Sequence, residues 1–243
     1  MAIELNCDMG EAYGLYRCGD DEGIMPLIDV ANVACGFHAA DPVVMQRTVR
    51  LAKRHGVRVG AHPSFPDLQG FGRREMVMGH DELVAAIIYQ VGALKAFLDR
   101  EGMALNHVKP HGALYGKASR DPATAEAIAE AVAAFGVPIM GMAGTVHEEV
   151  YKARGLTFIP EYYTDLDYTD EGRLIITREH APTDPAEAAR KAVRVAQDGI
   201  ATSIGGKEFP MVATCFCIHS DTPTAVPVAE AVRAALAPWR SAA

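Results

Sequence analysis

A chain of 243 residues with 49% hydrophobic composition is long enough to bury one large core. Its formal charge is −8, from 31 acidic and 23 basic residues, and no Lys/Arg cluster is long enough to follow a phosphate backbone, which argues against nucleic acid. No apolar run reaches bilayer-spanning length, and the opening MAIELNCDMGE lacks the basic and apolar regions of a signal peptide, so no membrane partner and a cytoplasmic location are expected.

In chain order, apolar and β-branched runs alternate with Ala-rich amphipathic stretches. Strands are expected over 3–8, 30–38, 57–62, 137–142, 156–162 and 211–219. A further one lies in 106–115, NHVKPHGALY, and ends at Pro110, which cannot donate to a ladder. Three helices open on the same pair, Asp41-Pro42, Asp121-Pro122 and Asp184-Pro185, with Asp as N-cap and Pro as first helical residue. They are expected to end near Gly56, Gly136 and Asp198. Asp81 is expected to cap a long helix with an apolar stripe at Leu83, Ile87, Val91, Leu94 and Leu98. Helices are also expected over 145–153 and 223–236. The irregular segment 164–183, with an Asp-Glu-Gly turn at 170–172, reads as a small hairpin excursion.

Seven β-then-α units imply a parallel sheet with right-handed crossovers. Polar residues stand at nearly every strand end: Asn6 and Asp8, His38, His62, Lys109 and His111, Glu161, and His219. An open sheet needs functional groups only at its switch point. A ring of them favours closure around one mouth, so the expectation is a single α/β domain over 1–243, an irregular seven-stranded (β/α) barrel. Placing so many titratable groups together costs desolvation, and such clusters mark functional sites. The remaining histidines, His55, His80, His147 and His180, are assigned to helices or surface loops. The five cysteines are odd in number, and Cys215-x-Cys217 is not a redox or zinc spacing, so they are expected to be structural. No phosphate-binding loop, serine elbow or dinucleotide fingerprint is present. Asp8, His62 and His111, at the ends of separate strands, are compatible with a divalent metal.

Five motifs are long and unusual: NCDMGE at 6–11, ANVACGFHAAD at 31–41, GAHPSFPD at 60–67, FGR at 71–73 and VKPHGALY at 108–115. They resemble the LamB/YcsF family, which contains the A subunit of an ATP-dependent 5-oxoprolinase. The resemblance implies a barrel of the glycoside hydrolase/deacetylase type. It also implies opening of a small lactam, 5-oxoproline, with ATP bound by a complex that includes carboxyltransferase-like B and C subunits; homo-oligomerisation is left open. In that chemistry Lys109 would stabilise developing negative charge. Asp8 would act as base or orient a histidine base. His38, His62 and His111 would position substrate and move protons. Asn6, Glu11, Asp67, Arg73, Glu161 and His219 are candidate substrate-binding residues.

The chain departs from the family pattern after the sixth strand, where Leu166 stands in place of an arginine and Asp167 adds an acid. A substrate carboxylate would meet a like charge there unless Arg73 or Arg178 reaches in. Two other functions stay open: a metal-dependent deacetylase or amidase of the same barrel type, and a non-catalytic partner of the carboxyltransferase-like subunits.

Overall fold

The computed structural model describes residues 2–177 and 181–240. Its strands are β1 (Glu4–Met9), β2 (Val30–Ala34), β3 (Arg58–His62), β4 (Leu105–Val108), β5 (Ile139–Gly141), β6 (Phe158–Tyr163), β7 (Ile200–Thr202), β8 (Glu208–Pro210) and β9 (Cys215–His219). All but β7 and β8 run parallel in a closed barrel of order β1-β2-β3-β4-β5-β6-β9, so β9 pairs with both β1 and β6. The expected seven-stranded α/β barrel is the observed one. It is irregular where β4 enters: the β3–β4 register shifts between Val59 and Ala61, and β4 meets β5 only through Val108 and Ile139.

The helices are α1 (Asp21–Ile24), α2 (Pro42–His55), α3 (His80–Glu101), α4 (Gly112–Ala118), α5 (Pro122–Ala133), α6 (Val146–Ala153), α7 (Pro185–Asp198) and α8 (Ala225–Ala235). The Asp-Pro device starts three of them at the expected residue. Asp41 accepts from Val43 N and Val44 N at 2.8 and 3.2 Å, and Asp184 accepts from Ala186 N at 2.9 Å. Asp121 instead accepts from the Thr124 hydroxyl at 2.5 Å, and α5 stops at Ala133, short of Gly136. Asp81 is not the cap of α3. Gly79 occupies that position and Glu82 accepts from its N–H at 3.2 Å, leaving Asp81 to act on the helix dipole from inside the first turn.

Alternation along β1 sends Leu5, Cys7 and Met9 outward into the core beneath the helices, and Asn6 and Asp8 into the barrel. The main apolar core is therefore the ring between strands and helices. Inside the barrel the floor is apolar, formed by Val30, Met140 and Cys215 with Ile159 against them. Cys215 and Cys217 are buried free thiols, and burial pushes both well above the ordinary thiol range.

The excursion after β6 carries an isolated antiparallel bridge, Tyr168 to Leu174, around the turn at 169–173. Residues 178–180, with Arg178 and His180, lie outside the described residues. The regular hairpin comes later, as β7 and β8 pair antiparallel around the Gly205-Gly206 turn, which was not expected. It props the excursion: Ile204 N donates to Tyr168 O at 2.9 Å, Ser203 Oγ to Asp170 Oδ1 at 2.5 Å, and the Phe209 ring lies 5.7 Å from that of Tyr168. Among the described residues no helix is long and apolar enough to cross a membrane.

Candidate active site

The polar filling of the barrel begins with a directed hydrogen-bond chain. Asn106 Nδ2 donates to His107 Nδ1 at 3.0 Å, which leaves His107 Nε2 to donate to Asn32 Oδ1 at 2.7 Å. Asn32 Nδ2 then donates to Asn6 Oδ1 and Asp8 Oδ1, each at 2.7 Å. Burial pushes His107 down to about 3, so it serves as a neutral relay. Its ring fills the space over Gly60, where a Cβ would lie 2.0 Å from His107 Cε1. The glycine of the GAHP motif is thus closed to any side chain.

Beyond the end of β4 the chain stays extended along β3. Lys109 N donates to Ala61 O and His111 N to Pro63 O, both at 2.9 Å, so Lys109 and His111 share the inward face. The Lys109 ammonium is 2.9 Å from Asp8 Oδ1, 2.9 Å from Glu161 Oε1, 3.1 Å from Cys217 Sγ and 4.9 Å from the Tyr163 ring centre. Burial works against its charge, but Asp8, Cys217 and Glu161 outweigh it and hold the pKa well above the ordinary lysine value. Burial would likewise raise Asp8, yet His62 and Lys109 hold its carboxyl well below the usual range. Neither Glu161 oxygen makes a well-aligned hydrogen bond, although Oε1 faces the ammonium.

Above this layer sit three histidines. His62 Nδ1 faces Lys109 O at 2.7 Å, and His111 Nε2 faces Phe71 O at 2.8 Å. Their other nitrogens, His62 Nε2 and His111 Nδ1, are 3.0 Å apart. His38 stacks on His111 with ring centres 3.7 Å apart and planes 6° apart, and its Nε2 is 3.0 Å from Glu11 Oε1. Burial, with His111 beside it, pushes His38 down to about 4. The FGR loop clamps this stack. Phe71, in the left-handed region at φ 56°, stands edge-on to both rings. Gly72 takes φ 65°, where a Cβ would lie 2.2 Å from Ser64 Oγ and 2.7 Å from His111 Cδ2. Beyond Asp8, whose Oδ2 is 3.6 Å from His219 Nε2, His219 Nδ1 is 2.9 Å from Asp165 Oδ1, and Asp165, against the opposing effect of burial, raises His219 to about 9.

These groups surround a cavity of about 30 Å³ at the C-terminal ends of the strands. Asp8, His62, Arg73, Lys109, His111 and His219 line its polar side. Leu166, Leu174 and Ile176 of the excursion, with Tyr115 and Tyr163, line the rest. Other candidate residues lie off the cavity. His38 and Glu11 sit behind His111, and Asn6 and Glu161 lie deeper in the barrel, around the Lys109 ammonium. Asp67 binds Gly70 N at 2.9 Å and pairs with Arg74, which folds the FGR loop but keeps the carboxylate away from the mouth.

One expectation needs correction. Asp167 does not oppose a ligand in the cavity: its Oδ1 is 2.8 Å from Lys191 Nζ on α7, while Leu166 is the residue that faces inward. Arg73 does reach the cavity wall, with its guanidinium 2.8 Å from Asp221 Oδ2. His147 is on a helix as expected but fully buried; Met142 N donates to its Nδ1 at 3.2 Å and its Nε2 faces Tyr115 O at 3.0 Å. Asn32, His107, Asp165, Leu174 and Ile176 were not among the site residues expected from sequence. A polar residue in the middle of the run VANVA was the available signal for Asn32.

The LamB/YcsF family model matches residues 3–240. A relative from Thermus thermophilus, the A subunit of a 5-oxoprolinase, is 50% identical over 240 residues, covering 97% of this chain and 96% of the relative. A lactam utilization protein, lamB, from Emericella nidulans is 48% identical over 223 residues, covering 90% and 88%. The crystal structure of a lactam utilization protein from Thermus thermophilus superposes with a TM-score of 0.90 at 49% identity, covering 97% of this chain and 96% of that one.

Proposed function

The chain belongs to the LamB/YcsF family, and from that premise we propose that it is the A subunit of an ATP-dependent 5-oxoprolinase. In this reading it binds 5-oxoproline, or a closely related lactam acid, at the barrel mouth. Carboxyltransferase-like B and C subunits act with it, and the reaction converts 5-oxoproline, ATP and water to glutamate, ADP and phosphate. The observation that carries the reading is the cavity itself. One wall holds a buried ammonium beside an ionised carboxylate, another holds Arg73 and the His219 cation, and the rest is aliphatic and aromatic.

A five-membered lactam acid has matching parts. Its carboxylate suits Arg73 and His219, and its methylenes suit Leu166, Leu174 and Ile176. Its amide carbonyl then faces Lys109, which stabilises negative charge developing on that oxygen. Asp8, ionised and fixed by Asn32 and Lys109, accepts a proton from the attacking water directly or through His62. An unstrained lactam is a weak electrophile and its closure is favourable, so opening requires coupling. Phosphorylation of the amide oxygen by ATP activates the carbon: water adds there, the C–N bond breaks with its nitrogen taking a proton, and a second water displaces phosphate from the resulting acyl phosphate.

A space of about 30 Å³ admits only one or two water molecules. The excursion over 164–177 must therefore swing out to admit substrate and back to exclude bulk water. The test is glutamate release from 5-oxoproline with ATP, using the chain with and without B and C partners, over a panel of lactams. Partner- and ATP-dependent release that is lost in Lys109→Met supports the reading. A reconstituted complex in which Lys109→Met has full activity would end it.

A further inference from the structure

The two facing imidazoles pose a proton-counting problem. His62 Nδ1 lies 2.7 Å from the Lys109 carbonyl and His111 Nε2 lies 2.8 Å from the Phe71 carbonyl. A carbonyl only accepts, so both of these nitrogens carry hydrogen. In neutral rings the other nitrogens, His62 Nε2 and His111 Nδ1, are then bare lone pairs, 3.0 Å apart. Their next neighbours are also acceptors. Asp8 Oδ2 lies 3.2 Å from His62 Nε2, and Glu11 Oε1 lies 3.2 Å from His111 Nδ1. Asp8 Oδ1 already takes Asn32 and Lys109, and Oδ2 also lies 3.6 Å from His219 Nε2, so Asp8 has cationic partners of its own. Three of these acceptors, His62 Nε2, His111 Nδ1 and Glu11 Oε1, form a buried arc that needs something positive within it.

We propose that the barrel mouth binds one divalent transition-metal ion through His62 Nε2, His111 Nδ1 and Glu11 Oε1, whose ligand atoms lie within 4.8 Å of one another. Spacing supports this. Ligands about 2.0–2.1 Å from one ion are separated by about 3.0 Å at right angles and about 3.4 Å at the tetrahedral angle. The consecutive separations here, 3.0 and 3.2 Å, fall within that interval. Each imidazole also has its outer N–H anchored on a backbone carbonyl, the arrangement that orients metal-binding histidines. Two imidazoles with one carboxylate suit zinc, cobalt, manganese or iron better than magnesium or calcium.

His38 is excluded from the ligand set although its Nε2 is close to the cluster. Its ring lies parallel to that of His111 at 3.7 Å, so no ion can lie in both ring planes. It is a positioning residue that donates to Glu11 Oε1 and aims that carboxylate at the arc. An ion bound here would supply a Lewis acid for an amide or phosphoryl oxygen at the cavity wall.

The inference does not depend on the lactam reading, and its test needs no substrate. Protein stripped with chelator and shown by circular dichroism to remain folded is titrated with Zn²⁺, Co²⁺ and Mn²⁺ by calorimetry. Co²⁺ absorption bands report the ligand field. One ion per chain is expected, with a Zn²⁺ Kd of about 1 μM or tighter, weakened about 10-fold or more in Glu11→Gln and in His111→Gln. His80→Gln, at the exposed His80–Glu130 pair, should bind as wild type does. His38→Ala should weaken binding less than His111→Gln. Folded protein that takes up none of the three ions, or binding that both site variants leave unchanged, overturns the proposal.

Discussion

Lys109 is the residue on which the site's electrostatics turn. It is 1% exposed and neutralises two buried carboxylates, those of Asp8 and Glu161. Removing one partner of a buried ionic cluster leaves uncompensated charge and costs roughly 3–5 kcal/mol. Lys109→Met is therefore expected to lose that much stability in urea melts, and Lys109→Met with Asp8→Asn to recover part of it without recovering activity. A single variant as stable as wild type would show that the triad is not charged as described. His147 makes a second prediction, remote from the mouth. Burial pushes it down to about 3, so the folded state keeps it neutral while the unfolded chain protonates it near 6.5. A lowered histidine pKa contributes stability above the unfolded value and loses it as pH falls through the window from about 6.5 toward 3. Thermal melts should show stability falling by up to roughly 4 kcal/mol across that window, and falling less steeply in His147→Gln.

Between elements, the loop from β3 to α3 and the excursion from β6 shape the mouth. Gly72 holds φ 65° with its missing side chain aimed at Ser64 and His111. Gly72→Ala should cost about 2 kcal/mol or more and unseat the His38–His111 stack, visible as altered imidazole shifts in NMR spectra. Leu174 and Ile176 close the cavity from the excursion. The double variant Leu174→Ala/Ile176→Ala should raise KM for the lactam about 10-fold or more with little change in the barrel's melting temperature. An unchanged KM would mean the excursion does not cover the substrate. The hairpin of β7 and β8 that supports it was legible in principle, since Gly205-Gly206 separates two short extended runs. Those glycines draw attention first as a failed phosphate loop, which hides their turn chemistry.

For the whole molecule, the proposed reaction needs a nucleotide, and the chain has no recognisable phosphate-binding loop. The purified chain alone is expected to open 5-oxoproline with ATP at a negligible rate and to gain turnover when B and C subunits are added. Rapid turnover by the chain alone, followed as phosphate and glutamate release, would contradict this. The fold limits what such partners can reach. The polar filling lies inside a closed barrel whose floor is apolar, so access is from the C-terminal mouth.

What the sequence determined by itself was the alternation of strands and helices, the Asp-Pro helix starts and the polar strand ends. Each depends on neighbours a few residues apart, through side-chain period, capping and fixed proline φ. Closure into a ring followed from the number of polar ends, because a barrel brings all of its strand ends to one mouth. The tertiary structure alone decided which polar residues face the cavity. Asp67 and Asp167 are spent on Arg74 and Lys191, while Arg73 reaches the wall. It alone decided that His107 and Asn32 relay to Asp8, and that two histidines 49 positions apart turn bare nitrogens toward each other. Those facts depend on barrel register and on which backbone carbonyl each ring meets, and neither has a local signature in the chain.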